Sequence, residues 1–129
     1  MHVLLDTNVL LRWLHGDLLP KRVVTLVERA ESILVSMVTP WELTIKTSRH
    51  PELKLLSSNQ LSAGLTQMGA RLLHIQREHI ERLASLPDHH HDPFDRMIIA
   101  QAIEEKFTCV SSDESFLLYK PSGLDLLWK

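Results

Sequence analysis

The chain has one cysteine, four glycines and no surplus of positive charge. A single cysteine excludes an intrachain disulfide. Cys109 lies in an apolar run, where a small core residue is expected rather than a nucleophile. So few glycines leave no glycine-rich loop to cradle a phosphate, and no serine or cysteine nucleophile motif is visible. No apolar run is long enough to span a bilayer and no basic-apolar leader opens the sequence, so a cytoplasmic protein without membrane contact is expected. The formal net charge of −2 lacks the basic excess usual in nucleic-acid binders. That argument is weakened if several acids are gathered into one metal site, because the remaining surface is then mildly positive.

What is present is an ordinary globular mixture, 44% hydrophobic and 23% charged over 129 residues, which predicts a single domain spanning 1–129. Short apolar runs alternate with helical patterns from end to end. Strands are expected at 1–5, 33–36, 72–75, 108–111 and 124–128. Helices are expected from Val9 to His15, from Lys21, from Thr39-Pro40 to about Ser48, from Ser57 or Ser58 to Gly69, over 77–86 with Ile80, Leu83 and Ala84 inward, from Pro93, and from Asp113 to about Tyr119. Residues 51–57 are expected to form a connecting loop. The alternation predicts an α/β fold, with a mostly parallel sheet of about five strands flanked by helices.

Acids stand at four junctions where a strand gives way to a helix. Asp6 closes Val3-Leu4-Leu5, and a charge directly after a buried strand is costly unless partnered. Glu42 follows Thr39-Pro40-Trp41, a run that also fits a capping box. In His91-Asp92-Pro93-Phe94-Asp95, Asp92 suits the N-cap and Pro93 the first helical position, which puts Asp95 in the first turn. Asp113 follows Ser111-Ser112. In an open parallel sheet such junctions share one edge, so the four carboxylates are expected to converge. A convergent set of carboxylates suits Mg²⁺ or Mn²⁺ and metal-assisted hydrolysis of a phosphodiester.

Leu4-Leu5-Asp6-Thr7-Asn8-Val9, Trp41-Glu42 with Lys46, His91-Asp92-Pro93-Phe94-Asp95-Arg96 with Ala100-Gln101-Ala102, and Ser111-Ser112-Asp113 together resemble the PIN domain, in particular the VapC-type toxins of bacterial toxin–antitoxin pairs. The resemblance implies a Rossmann-like fold and a Mg²⁺- or Mn²⁺-dependent ribonuclease with the acidic quartet Asp6, Glu42, Asp95 and Asp113. It further implies a homodimer and inhibition by a VapB-like antitoxin. The family's polar residue after the first strand falls on Thr7 or Asn8, and its small hydroxyl residue before the last acid on Ser111 or Ser112. Asp92, Lys46 and Arg96 are supporting or RNA-contacting candidates. Lys46 also suits an i,i+4 pair with Glu42, and Arg96 an ion pair. Lys46, Arg49 and Lys54 together offer an RNA-backbone contact.

Three histidines, His89 to His91, depart from the one or two that related sequences carry. They are read as a solvated loop, with a place beside the acids or a separate transition-metal site as alternatives. Trp13, Trp41 and Trp128 are read as core or subunit-interface residues. Two other functions compete with the nuclease. An aspartate-nucleophile phosphotransferase needs a second aspartate two residues after Asp6, where Asn8 stands. A non-enzymatic module binding RNA or protein is disfavoured by the intact quartet.

Overall fold

The computed structural model describes residues 1–51 and 57–128, so most of the expected 51–57 loop, with Lys54, lies outside the described residues. In chain order the elements are β1 (His2–Leu5), α1 (Thr7–Leu14), α2 (Lys21–Arg29), β2 (Ser32–Ser36), α3 (Val38–Arg49), α4 (Ser58–Met68) and β3 (Ala70–Leu73). There follow α5 (Arg77–Ser85), α6 (Pro93–Glu105), β4 (Thr108–Val110), a 3₁₀ helix (Glu114–Ser122) and β5 (Asp125–Leu127). The sheet order is β3-β2-β1-β4-β5, and every pairing is parallel. This is the expected α/β architecture. No described helix is long and apolar enough to cross a membrane.

Strand β1 sits at the centre because it is apolar on both faces. Val3, Leu4 and Leu5 are all fully buried, as a parallel strand covered on both sides must be. Leu4 points into a layer with Leu34, Cys109 and the α6 residues Ile98 and Ile99, closed by Phe116 and Tyr119. Val3 and Leu5 point the other way, toward Val9, Val23, Val27, Leu61 and Leu65 of α1, α2 and α4. Cys109 is a free thiol within the first layer, where burial pushes its pKa well up, so it is the core residue expected.

The strand order contains one reversal. The chain runs outward from β1 through β2 to β3, then returns to place β4 on the other side of β1. A crevice forms outside the carboxyl ends of the strands at such a reversal. Asp6 follows β1 and Ser111 follows β4, so both stand at its mouth.

Three expectations are corrected. The third strand begins at Ala70, two residues early, because Gly69 takes the left-handed conformation (φ 73°) that ends α4 and leads straight into pairing of Ala70 with Ile33. Helix α3 begins at Val38 rather than after a Thr39 cap. Thr39 is buried with its hydroxyl 2.9 Å from that of Thr7, so no capping box with Glu42 forms. On α5, Ile80 is exposed, Ala84 faces solvent, and His79 is the buried residue. Its Nδ1 accepts from the backbone N–H of Gln76 (2.9 Å) and its Nε2 donates to Glu105 (2.8 Å). A histidine with both nitrogens bonded can occupy a core position that an apolar reading assigns to its neighbour.

The two isoleucines therefore give opposite expectations. Ile98→Ala, in the fully buried stretch of α6, should cost about 2–5 kcal/mol in urea denaturation. Ile80→Ala should stay within about 0.5 kcal/mol of the parent.

Candidate active site

Each acid of the quartet is placed by the local chemistry of its own junction. Asp6 is the N-cap of α1, its Oδ1 accepting from the Val9 N–H at 2.8 Å. Its backbone N–H continues the β1–β4 ladder to the Val110 carbonyl at 3.1 Å. Asp92 caps α6 by accepting from the N–H groups of Phe94 and Asp95, at 2.8 Å and 3.2 Å, with Pro93 in the first turn as expected. That cap fixes Asp95 in the first turn. Asp113 caps the 3₁₀ helix, its Oδ1 accepting from the N–H and hydroxyl of Ser115. Glu42 comes from the second turn of α3, which is held against α6 by the edge-to-face pair Trp41 and Phe94, with ring centroids 5.0 Å apart.

These side chains act on one another electrostatically. Burial raises the Asp6 pKa from 3.8 to about 6, more than the hydrogen bonds from Ser111 and Val9 lower it, and the charges of Asp95 and Asp113 raise it further. Burial likewise raises Asp95, with Asp92 and Glu42 adding to the effect and the bond from His90 opposing it. The Glu42 side chain is 5% exposed, and one oxygen pairs with Lys46 Nζ at 2.7 Å. Its other oxygen, Oε1, is buried with no hydrogen-bond partner among the described residues. The pair with Glu42 raises the Lys46 pKa in turn.

The supporting residues divide. Ser111 is the hydroxyl residue that reaches the quartet: its Oγ donates to Asp6 Oδ2 at 2.5 Å and accepts from the Asp113 N–H at 3.1 Å. Ser112 is exposed and makes no such bridge among the described residues. Thr7 acts through Thr39, locking α1 to α3, while Asn8 is exposed. Arg96 turns toward the preceding loop, with Nη1 3.4 Å from Asp88 and Nη2 3.4 Å from the Leu86 carbonyl, so the ion-pair reading fits it. Trp41 is 56% exposed beside the acids and is no core residue.

The histidine loop is not uniformly solvated. His91 is exposed, but His90 turns inward, its Nε2 2.9 Å from Asp95 Oδ2 and 3.6 Å from Asp113 Oδ2. The Tyr119 hydroxyl accepts from the backbone N–H groups of both His89 and His90, at 3.1 Å and 3.0 Å. Three adjacent histidines just before a capped helix were the signal for a place beside the acids, without showing which of them takes it, and Tyr119 offered no signal.

A carboxyl whose folded pKa exceeds its unfolded value contributes stability below the unfolded pKa and loses it as pH rises through the folded one. Asp6 thus favours the metal-free fold below about pH 4, and that contribution disappears by about pH 6 to 7. Asn at position 6 can still cap α1 and face Ser111. Asp6→Asn should therefore be more stable than the parent at pH 7.5 in chelator, by roughly 2–3 kcal/mol, with the gap closing at pH 4.5. Paired urea titrations at the two pH values measure this.

The PIN domain family profile matches residues 3–120. No curated protein matches the chain in sequence. Among solved structures, VapBC2 from Rickettsia felis, bound to a DNA fragment from its promoter, is similar at TM-score 0.69 and 18% identity, covering 100% of both chains. FitAcB from Neisseria gonorrhoeae is similar at TM-score 0.66 and 20% identity, covering 97% of this chain and 96% of that one. VapC20 from Mycobacterium tuberculosis, a toxin that cleaves the sarcin-ricin loop, is similar at TM-score 0.57 and 15% identity, covering 98% and 99%. With the profile matching residues 3–120, nearly its whole length, the chain belongs to the PIN domain family.

Proposed function

We propose that this single-domain protein is a metal-dependent endoribonuclease, the toxin of a VapC-type toxin–antitoxin pair, with Asp6, Glu42, Asp95 and Asp113 as its metal-binding and catalytic acids. The observation that carries the reading is Glu42 Oε1, a carboxylate oxygen buried without a partner beside Asp95, whose pKa its charge raises. An oxygen so placed is expensive unless something binds it. An all-carboxylate set is also the donor chemistry that Mg²⁺ and Mn²⁺ prefer. The residues present therefore fit a hard divalent cation.

When bound, the cation supplies positive charge that polarises a phosphodiester and lowers the pKa of water. The chain's own residues do the rest. Asp6 and Asp113 are held at a fixed separation by Ser111, which bonds to both. Asp92 keeps Asp95 aimed into the site through two backbone bonds. Lys46 partly neutralises Glu42 and, half-exposed, offers a cation to a phosphate at the rim, with Arg49 one turn further along α3. The exposed face of Trp41 leaves an aromatic surface beside the acids for an unpaired base.

The partners follow from the same reading: an RNA substrate, a small VapB-like antitoxin and a second copy of the chain in a homodimer, acting in the cytoplasm without membrane contact. The structural relatives that are complexes of toxin and antitoxin support the pairing.

Asp95→Asn should lower cleavage of single-stranded RNA by more than about a hundredfold while leaving the circular dichroism spectrum unchanged. Chelator should abolish the parent's activity, and Mn²⁺ or Mg²⁺ should restore it. Equal cleavage by parent and variant would assign the activity to a contaminant and overturn the proposal.

A further inference from the structure

We infer that His90 is a nitrogen ligand of the metal, making the site a mixed nitrogen–oxygen one that favours Mn²⁺ over Mg²⁺. The inference rests on the hydrolytic reading above and adds a residue outside the acidic quartet.

Geometry is the first support. Ligand atoms about 2.1–2.2 Å from one ion lie at most about 4.4 Å apart. His90 Nε2 is 2.9 Å from Asp95 Oδ2 and 3.6 Å from Asp113 Oδ2. The three residues present one ligand atom each within 4.8 Å of one another, so a shift of about half an ångström brings the widest pair inside that limit.

Preorganisation is the second. The Tyr119 hydroxyl holds the backbone at His89 and His90, and the His90 ring packs on Phe116 with centroids 6.3 Å apart. The His90 side chain is 21% exposed, against 92% for His91, so one of the three histidines is drawn out of solvent toward the acids. The third support is independent of the histidine. Glu42, whose charge acts on Asp95, keeps a buried Oε1 with no hydrogen-bond partner among the described residues, a carboxylate oxygen to spare near one of the three ligands.

The chemical consequence is selectivity. Mg²⁺ strongly prefers oxygen donors, whereas imidazole suits later divalent ions, and affinity for nitrogen rises along the first-row series from Mn²⁺. Replacing one oxygen by imidazole therefore disfavours Mg²⁺ relative to Mn²⁺.

The test uses metal-freed full-length protein, with Mn²⁺ alone and Mg²⁺ alone as probes. Pulsed electron paramagnetic resonance of bound Mn²⁺ should show nitrogen hyperfine coupling in the parent and in His91→Ala, and lose it in His90→Ala and His90→Gln. Calorimetry should give Mn²⁺ binding weakened roughly 10- to 100-fold by the His90 substitutions, with Mg²⁺ binding changed less than about twofold. Bound Mn²⁺ with oxygen-only coupling in the parent overturns the inference while leaving the hydrolytic reading intact. Coupling that survives in His90→Ala overturns it equally, because another histidine is then the ligand. No binding of either cation by the parent overturns both the inference and the function on which it rests.

Discussion

Burial of carboxylates, with their mutual repulsion added to it, is the constraint around which this molecule is built. Asp6 is almost wholly buried and its charged form is disfavoured by burial and by Asp95 and Asp113 together. Such an arrangement persists because Asp6, Asp92 and Asp113 are tied to helix starts by backbone N–H groups, which favour negative charge there, while Glu42 is paired with Lys46. The caps therefore serve two ends. They satisfy orphan donors at helix termini, and they hold like charges closer than those charges would choose. The free energy for this comes from the apolar layers on either face of β1, where Val3, Leu4 and Leu5 have no contact with solvent.

The topology explains why these particular residues meet. A parallel sheet sends every strand's carboxyl end to one edge, and the reversal between β1 and β4 opens a crevice at that edge. Thus Ser111 can bond to Asp6 across a sequence separation of 105 residues. Helix α6 contributes from beneath. It is buried from Met97 through Ile103, so the first turn carrying Asp95 stands on an element with little room to move.

Much of this was readable from the chain because the informative signals are short-range. Asp92-Pro93 is a helix start whatever surrounds it, so Asp95 could be placed. Strand–acid junctions recur often enough to suggest that the acids share an edge. The failures have a common cause in long-range contacts. Thr39 looked like a cap, but it is spent on Thr7, 32 residues away. Ile80 looked inward, but Glu105, 26 residues from His79, makes the histidine the buried residue. The inward turn of His90 depends on Tyr119, 29 residues later, and no local pattern encodes that.

The span between Asp6 and Ser111 also bears on how the protein is made. Until β4 has been synthesised, β1 has an unpaired edge on that side, and Asp6 lacks both its hydroxyl partner and Asp113. A nascent chain emerging from the ribosome thus carries only fragments of the acidic pocket, and assembly waits on β4 and the residues up to Asp113. Order of synthesis therefore completes the pocket only after the first three strands of the sheet have been made.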